Sequence, residues 1–381
     1  MEDKIKKFLE KRRKEGLLRE LISVFPETGG RIRVDGKEYV NFSSNDYLGL
    51  STHGALAAAA REALEKAASS SASRLMTGTT RLHRELEEKT ARFKGKPAAL
   101  VFNSGYQANV GIISALCGKE DVIFSDRLNH ASIVDGIRLS GAKLFRFHHN
   151  DTGHLEELLR RERGNSREAM IITETVFSMD GDFAPLEKIA EFKKKYGCLL
   201  MVDEAHATGV FGKNGSGLAE ETGTTEDIDI IMGTFSKALG SFGSYVATSN
   251  EIRDYLVNTC RSFIYSTALP PAVIAADLAS LDVVESEPQR RRTLLENAGY
   301  LRASLKEKGF DVKGDSQILP IILGDNEKAL KASRFLNEKG YWAVPVRPPT
   351  VPQGEARLRI SLTFDHKKGI LDKFLRESGG F

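Results

Sequence analysis

The sequence predicts an α/β protein: a mostly parallel central sheet covered by helices on both faces, with a smaller C-terminal α+β domain. Three observations predict it. From about residue 50, helical patterns and short apolar runs alternate along the chain. Those runs are continuously apolar rather than alternating, as strands buried on both faces are. After about residue 285 the pattern changes to long helices followed by shorter strands and a Pro-rich loop.

Taken in order, the first ~25 residues read as a charged amphipathic helix, with Ile5, Phe8, Leu9, Leu17, Leu18 and Leu21 as its apolar positions. Alternating residues on either side of Asp35-Gly36 predict a hairpin over Arg31–Val40. Helices are expected at Ala55–Lys66, Leu82–Phe93, Ala108–Leu116, Ile133–Ser140, Leu155–Arg163 and Leu186–Tyr196. The strands between and after them are Ala98–Phe102, Val122–Ser125, Leu144–Phe147, Met170–Thr173, Leu199–Val202, Ile228–Met232 and Ser244–Thr248. Two long helical patterns follow, Pro271–Glu285 and Gln289–Lys308. Beyond them come a helix near Glu327–Lys339, the loop Pro345–Pro352 and a strand Arg357–Leu362. The expected division is an N-terminal segment over 1–50, a large domain over 51–284 and a small domain over 285–381.

Composition narrows the partners. Lys and Arg number 55 against 52 Asp and Glu, a net charge of +3. Nothing in that balance calls for nucleic acid or an anionic membrane. No apolar run approaches the ~20 residues of a membrane helix, and no apolar stretch follows the charged start as a secretory signal requires. Cys117, Cys198 and Cys260 form no CxxC pair, so a reducing cytoplasm is the expected setting.

Ligands of such sheets sit beyond the carboxyl ends of the strands, and four stretches there carry chemistry. In Gly233-Thr234-Phe235-Ser236-Lys237-Ala238-Leu239-Gly240 a lysine lies between small residues after an apolar strand. Partial desolvation and nearby positive charge lower a lysine's pKa and make it a nucleophile and proton carrier. The hydroxyls of Thr234 and Ser236 could hold a phosphate. Next, Asp203 ends the strand Leu199–Val202, with Glu204, Ala205 and His206 behind it; a buried carboxylate there would keep a ring nitrogen protonated. The third stretch is Asn103-Ser104-Gly105-Tyr106, a turn that opens a helix whose free N–H groups suit phosphate. The fourth is Asp126-Arg127-Leu128-Asn129-His130, where His130 could stack on a flat ring. Singly, each has an ordinary explanation: a surface lysine, a salt-bridged aspartate, a common turn, a polar loop histidine.

Competing motifs fail on context. Asp203-Glu204-Ala205-His206 also spells a helicase tetrad, but no G-x-x-x-x-G-K-[ST] loop precedes it. As a metal site, Asp203, Glu204 and His206 lack further converging ligands, so no metal is expected. Neither a G-x-G-x-x-G after a strand nor a G-x-S-x-G elbow is present.

Together the four stretches resemble the α-oxoamine synthase family of fold-type I enzymes, which use pyridoxal 5'-phosphate (PLP). The lysine signature of that family is matched over Thr234–Gly243. Further matching stretches are Asn41–Leu50, Ser71–Thr79, Val346–Pro352 and Ala356–Arg359, so the resemblance spans about residues 41–362. It implies that Lys237 carries PLP, that Asp203 pairs with the ring nitrogen, that His206 bonds the phenolic oxygen and that His130 stacks on the ring. By the same resemblance Gly105, Tyr106, Thr234 and Ser236 hold the phosphate, and Ser178 lies near the cofactor. Thr267, beside Ser266, would reach the phosphate of a neighbouring subunit, which implies a homodimer with shared sites. Lys237, His130 and Asp203 are the implied catalytic set. Arg19, Asn45, His130, Arg347 and Thr350 are implied to contact substrate. The run Arg347-Pro348-Pro349-Thr350-Val351-Pro352 resembles the branch that joins L-alanine to a pimeloyl thioester in biotin synthesis. Glycine-using sister enzymes, such as glycine C-acetyltransferase, and an aminotransferase of the same fold remain alternatives.

Overall fold

The computed structural model describes residues 1–379, which cluster into two compact units. One comprises residues 1–45, 179–182 and, to the end of the described chain, 293–379; the other comprises 46–178 and 183–292.

The first unit starts with a helix over Glu2–Lys14, none of whose residues is buried. Gly16 adopts a left-handed conformation (φ 64°), and the Leu17 N–H turns back to the Arg12 carbonyl at 2.8 Å. That closure stops the hydrogen-bond ladder. Leu17, Leu18 and Leu21 therefore lie outside the helix, which is shorter than the ~25 residues expected from the apolar spacing. Strands β1 (Phe25–Glu27), β2 (Arg31–Val34) and β3 (Lys37–Asn41) follow. Asp35 and Gly36 both have positive φ (47° and 79°), the two-residue turn whose twist suits a tight hairpin between β2 and β3.

The second unit is built on a seven-stranded sheet. Its strands are β4 (Ala98–Phe102), β5 (Val122–Asp126), β6 (Lys143–Phe147), β7 (Ala169–Glu174), β8 (Leu199–Asp203), β9 (Ile230–Thr234) and β10 (Ser244–Thr248). Their order is β4-β10-β9-β8-β7-β5-β6. Every residue of β4, β5, β7, β9 and β10 is buried, which explains their unbroken apolar sequences. Strands β5 to β9 run parallel, while β10 runs antiparallel to both of its neighbours. The link Phe235–Gly243 is too short for a helical crossover, so β10 must return antiparallel. That short link holds Lys237 at the edge where β7, β8 and β9 end. The core beneath includes Phe102, Ile112, Ile133, Met170, Met201 and Ile230.

The rest of the first unit pairs β11 (Ile318–Gly324), β14 (Ala356–Ser361) and β13 (Pro345–Val346) as an antiparallel sheet, while β12 (Tyr341–Trp342) joins β3 in parallel. Residues 179–182 cluster here because the Gly181 carbonyl accepts the N–H groups of Asp315 and Ser316, both at 3.0 Å. Fully buried Arg357 reaches Asp180 and Glu355, each at 2.7 Å.

Candidate active site

The second unit contains a cavity of about 220 Å³ at the carboxyl edge of its sheet. Eight sequence-predicted residues line it: Gly105, Tyr106, His130, Asp203, His206, Thr234, Ser236 and Lys237. They come from the ends of four strands and the connections after them, brought together because these strands end at one edge.

Asp203 closes β8 and is 5% exposed. Its Oδ1 accepts the Ala205 N–H and its Oδ2 accepts Asn109 Nδ2, both at 2.9 Å. Both oxygens of this buried side chain therefore accept a hydrogen bond. Lys237 Nζ lies 2.9 Å from His206 Nε2, and His206 Nδ1 lies 2.6 Å from the Tyr47 hydroxyl. His206 is thus held at both ring nitrogens. His130 caps the helix Ala131–Ser140, its Nδ1 accepting the Ser132 N–H at 3.3 Å. The same nitrogen is 2.8 Å from Ser132 Oγ, which accepts from Asn109 Nδ2 at 3.0 Å. Burial first, and then the Lys237 charge, hold the His130 pKa below its usual value against the pull of Asp203. His130 is accordingly a neutral ring, and an accepting Nδ1 puts its proton on Nε2.

Phosphate chemistry has its own corner. Ser104 caps the helix Gly105–Leu116 by accepting the Gln107 N–H at 3.2 Å. The first-turn amides beside it have no partner within the helix and point outward with its dipole. Thr234 and Ser236 add two hydroxyls, which donate to the Gly243 carbonyl at 2.7 and 3.1 Å. The left-handed Gly243 (φ 104°) turns that carbonyl toward them.

Other predicted residues lie elsewhere. Ser178 is outside the cavity lining, although its backbone N–H pulls down the pKa of the cavity-lining Glu174. Thr267 bridges to Ser73, and its carbonyl accepts from Asn103 at 2.9 Å. Arg19, Asn45, Arg347 and Thr350 belong to the first unit. There Arg19 donates to the Thr350 hydroxyl at 2.9 Å, and Arg347 donates to the Gly16 carbonyl. Burial and the like charges of Arg19 and Arg12 lower the Arg347 pKa. Sequence reasoning missed Tyr47, Asn109, Ser132 and Glu174. Asn109 and Glu174 had a readable signal: a polar residue inside an apolar helix, and a carboxylate ending an apolar strand.

This set fits PLP. A lysine amine, a buried carboxyl group with both oxygens hydrogen-bonded, a neutral flat ring and an anion-binding helix start share one cavity, whose lining includes an unsatisfied buried oxygen at Glu174 Oε1. Among the described residues no group of His, Cys, Asp and Glu is arranged to hold a metal ion, and no helix is long and apolar enough to cross a membrane.

Residues 37–376 match the family described as aminotransferase class I and II, and the chain belongs to that family. Curated relatives narrow the class. The chain is 51% identical to an 8-amino-7-oxononanoate synthase of Geobacter sulfurreducens, over 96% of this chain and 94% of that one. It is 48% identical to the enzyme of the same name from Chlorobaculum parvum, over 89% and 90%. Among solved structures, a serine palmitoyltransferase from S. paucimobilis with a bound PLP–myriocin aldimine superposes with a TM-score of 0.93 at 32% identity, covering 99% of this chain and 96% of that one. An 8-amino-7-oxononanoate synthase from Francisella tularensis gives 0.77 at 32% identity, over 90% and 97%. The fold, the cofactor and the enzyme class expected from sequence therefore hold: this is a PLP-dependent α-oxoamine synthase of fold type I.

Proposed function

We propose that the enzyme joins L-alanine to a pimeloyl thioester, releasing carbon dioxide and the thiol, to form 8-amino-7-oxononanoate for biotin synthesis. The thioester is carried by coenzyme A or by a carrier protein. What supports this reading most is the convergence of Lys237, Asp203, His206 and His130 on one cavity in a chain 51% identical to a synthase of that name.

When bound, PLP supplies an electron sink through its protonated ring nitrogen. The residues supply the rest. Asp203, held in place by Asn109 and the Ala205 amide, would pair with that nitrogen. Lys237 Nζ anchors the cofactor, removes the alanine α-proton and returns a proton to the product. His206, pinned by Tyr47, keeps Lys237 in line and faces the phenolic oxygen. His130 offers a neutral ring face, so it stacks without adding charge, and fixes which substrate bond stands perpendicular to the ring. The amides of Gly105 and Tyr106, with Thr234 and Ser236, take the phosphate; the two hydroxyls turn from Gly243 to do so. Arg347, crowded by Arg19 and Arg12, gains by pairing with a substrate carboxylate. Asn45, Thr350 and Arg19 complete the substrate contacts.

The working form in this reading is a homodimer in which Thr267 serves the partner's phosphate. Exposed Leu75, Met76 and Tyr265, close in sequence to the Ser73–Thr267 bridge, are the kind of apolar surface a partner covers. Three free, buried cysteines suit a cytoplasmic setting.

The test is product formation from pimeloyl-CoA with L-alanine or glycine, followed by mass spectrometry. Alanine is expected to be preferred, and Lys237→Ala to lower turnover by roughly 10³-fold or more. Preference for glycine would move the enzyme to a sister reaction. Conversion of the cofactor to its amine form by an amino acid alone would make it an aminotransferase.

A further inference from the structure

Glu174 is the last residue of β7, is 3% exposed and lines the same cavity. In the parallel ladder it stands opposite Asp203, so the two carboxyl groups emerge side by side on one face. Their surroundings differ. Both Asp203 oxygens have donors, whereas Glu174 Oε1 has no hydrogen-bond partner and is buried. The backbone N–H groups of His130 and Ser178, one in the loop after β5 and one just after β7, act on the Glu174 carboxyl electrostatically and pull its pKa down. Its own N–H is clamped by Asn129 Oδ1 at 3.1 Å, and Asn129 Nδ2 holds the Ile172 carbonyl at 2.8 Å. The backbone at Glu174 is therefore fixed, and one of its carboxyl oxygens lacks any donor that would stabilise a negative charge.

Two adjacent buried carboxyl groups cannot both ionise cheaply, and the proton goes to the one with a buried oxygen that no donor reaches. We propose that Glu174 is a positioning residue that works as a neutral acid: one oxygen anchors the backbone amides of His130 and Ser178, the other carries a proton, and Asp203 is left as the site's only carboxylate. This rests on the cofactor site proposed above and extends it. The titratable groups facing Glu174 are Asp203 on β8, Lys237 after β9 and His130 before the helix Ala131–Ser140. Burial first, then the Asp203 charge, push the Glu174 acid up to about 8, with Lys237 and the two amides pulling the other way. Above that range Glu174 ionises, and a second negative charge beside Lys237 strengthens the hold of Nζ on its proton.

The experiment uses the PLP-loaded enzyme, wild type against Glu174→Gln and Glu174→Leu. Gln copies the neutral acid in shape and polarity; Leu removes the anchor. Infrared difference spectra at neutral pH should show a buried protonated-carboxyl band in wild type that Gln lacks. A visible-absorbance titration from about pH 6 to about pH 10 should show a wild-type component missing in Gln. PLP affinity should stay within about twofold for Gln and weaken about tenfold or more for Leu. No carboxyl band together with identical titrations would overturn the neutral-acid role, and undiminished PLP affinity in Leu would overturn the anchoring role. If Leu fails to fold, Gln alone decides the first point through the band and the titration, and a Gln variant that loses PLP tenfold overturns the proposal. Failure of the wild-type enzyme to bind PLP at all is a different result and would sink the cofactor site itself.

Discussion

The carboxyl edge of the seven-stranded sheet and the N-terminal segment both carry residues expected to touch ligands, but they are held by different physics. At the sheet edge, Asp203, His206 and His130 are locked by buried partners: Asn109, Tyr47, Ser132 and backbone amides. Behind Asp203, Lys94 (1% exposed) pairs with Glu204 (0% exposed) and with the Ser216 carbonyl. Burial opposes the Lys94 charge, and Glu204 beside it overcomes that and keeps its pKa above the usual lysine range. In the N-terminal segment the helix Glu2–Lys14 buries nothing, and Arg19 reaches Thr350 through an exposed hydrogen bond. The first region is organised before ligand arrives. The second is a cationic segment held by exposed contacts.

The largest stability effect should come from Lys94→Met. It strands the Glu204 carboxylate in the core and is expected to cost about 3–5 kcal/mol in denaturant unfolding. Replacing both partners, Lys94→Met with Glu204→Leu, should cost less than the single change, since no unpaired charge remains. A single mutant that unfolds like wild type would show that the pair is not buried as described.

A middle-sized effect belongs to the core of the first unit. His366 is fully buried, 4.5 Å from the Phe42 ring centre, and burial lowers its pKa from 6.5 to about 3. The unfolded chain then binds a proton that the native chain does not. Stability should fall as pH drops below 6.5, by about 1.4 kcal/mol per unit, until pH approaches 3. Unfolding curves at pH 7, 6 and 5 would measure the slope, and His366→Gln should flatten it by about that amount.

The smallest effect is expected at the exposed contact. Thr350→Val removes the Arg19 hydrogen bond and should change stability by less than about 1 kcal/mol. A larger change would mean that the N-terminal segment is as rigid as the sheet edge, and the contrast would collapse.

Much of this was readable from sequence, for stated reasons. Buried strands are short apolar runs, so β4, β5, β7, β8 and β9 stand out, and the rule that ligands gather after strand ends pointed at Lys237, Asp203, Gly105 and His130. Strand direction was not readable: Ser244–Thr248 looks like its neighbours, and only the short link before it forces the reversal. The parallel pairing of Tyr341 with Val40 joins segments far apart in the chain, which no local pattern encodes. The N-terminal helix was overextended because Leu17 and Leu18 keep the apolar spacing while Gly16 ends the helix. Asn109 and Glu174 were passed over because polar residues inside apolar elements look like noise until the fold places them beside Asp203.

The central claim is that Lys237 holds the cofactor in a pocket already arranged around it. Borohydride reduction of the PLP-loaded enzyme, followed by peptide mass mapping, tests it most directly. The account predicts the reduced cofactor on the peptide containing Lys237 and no label in Lys237→Ala. Label on another lysine, or none in the wild type, would contradict it.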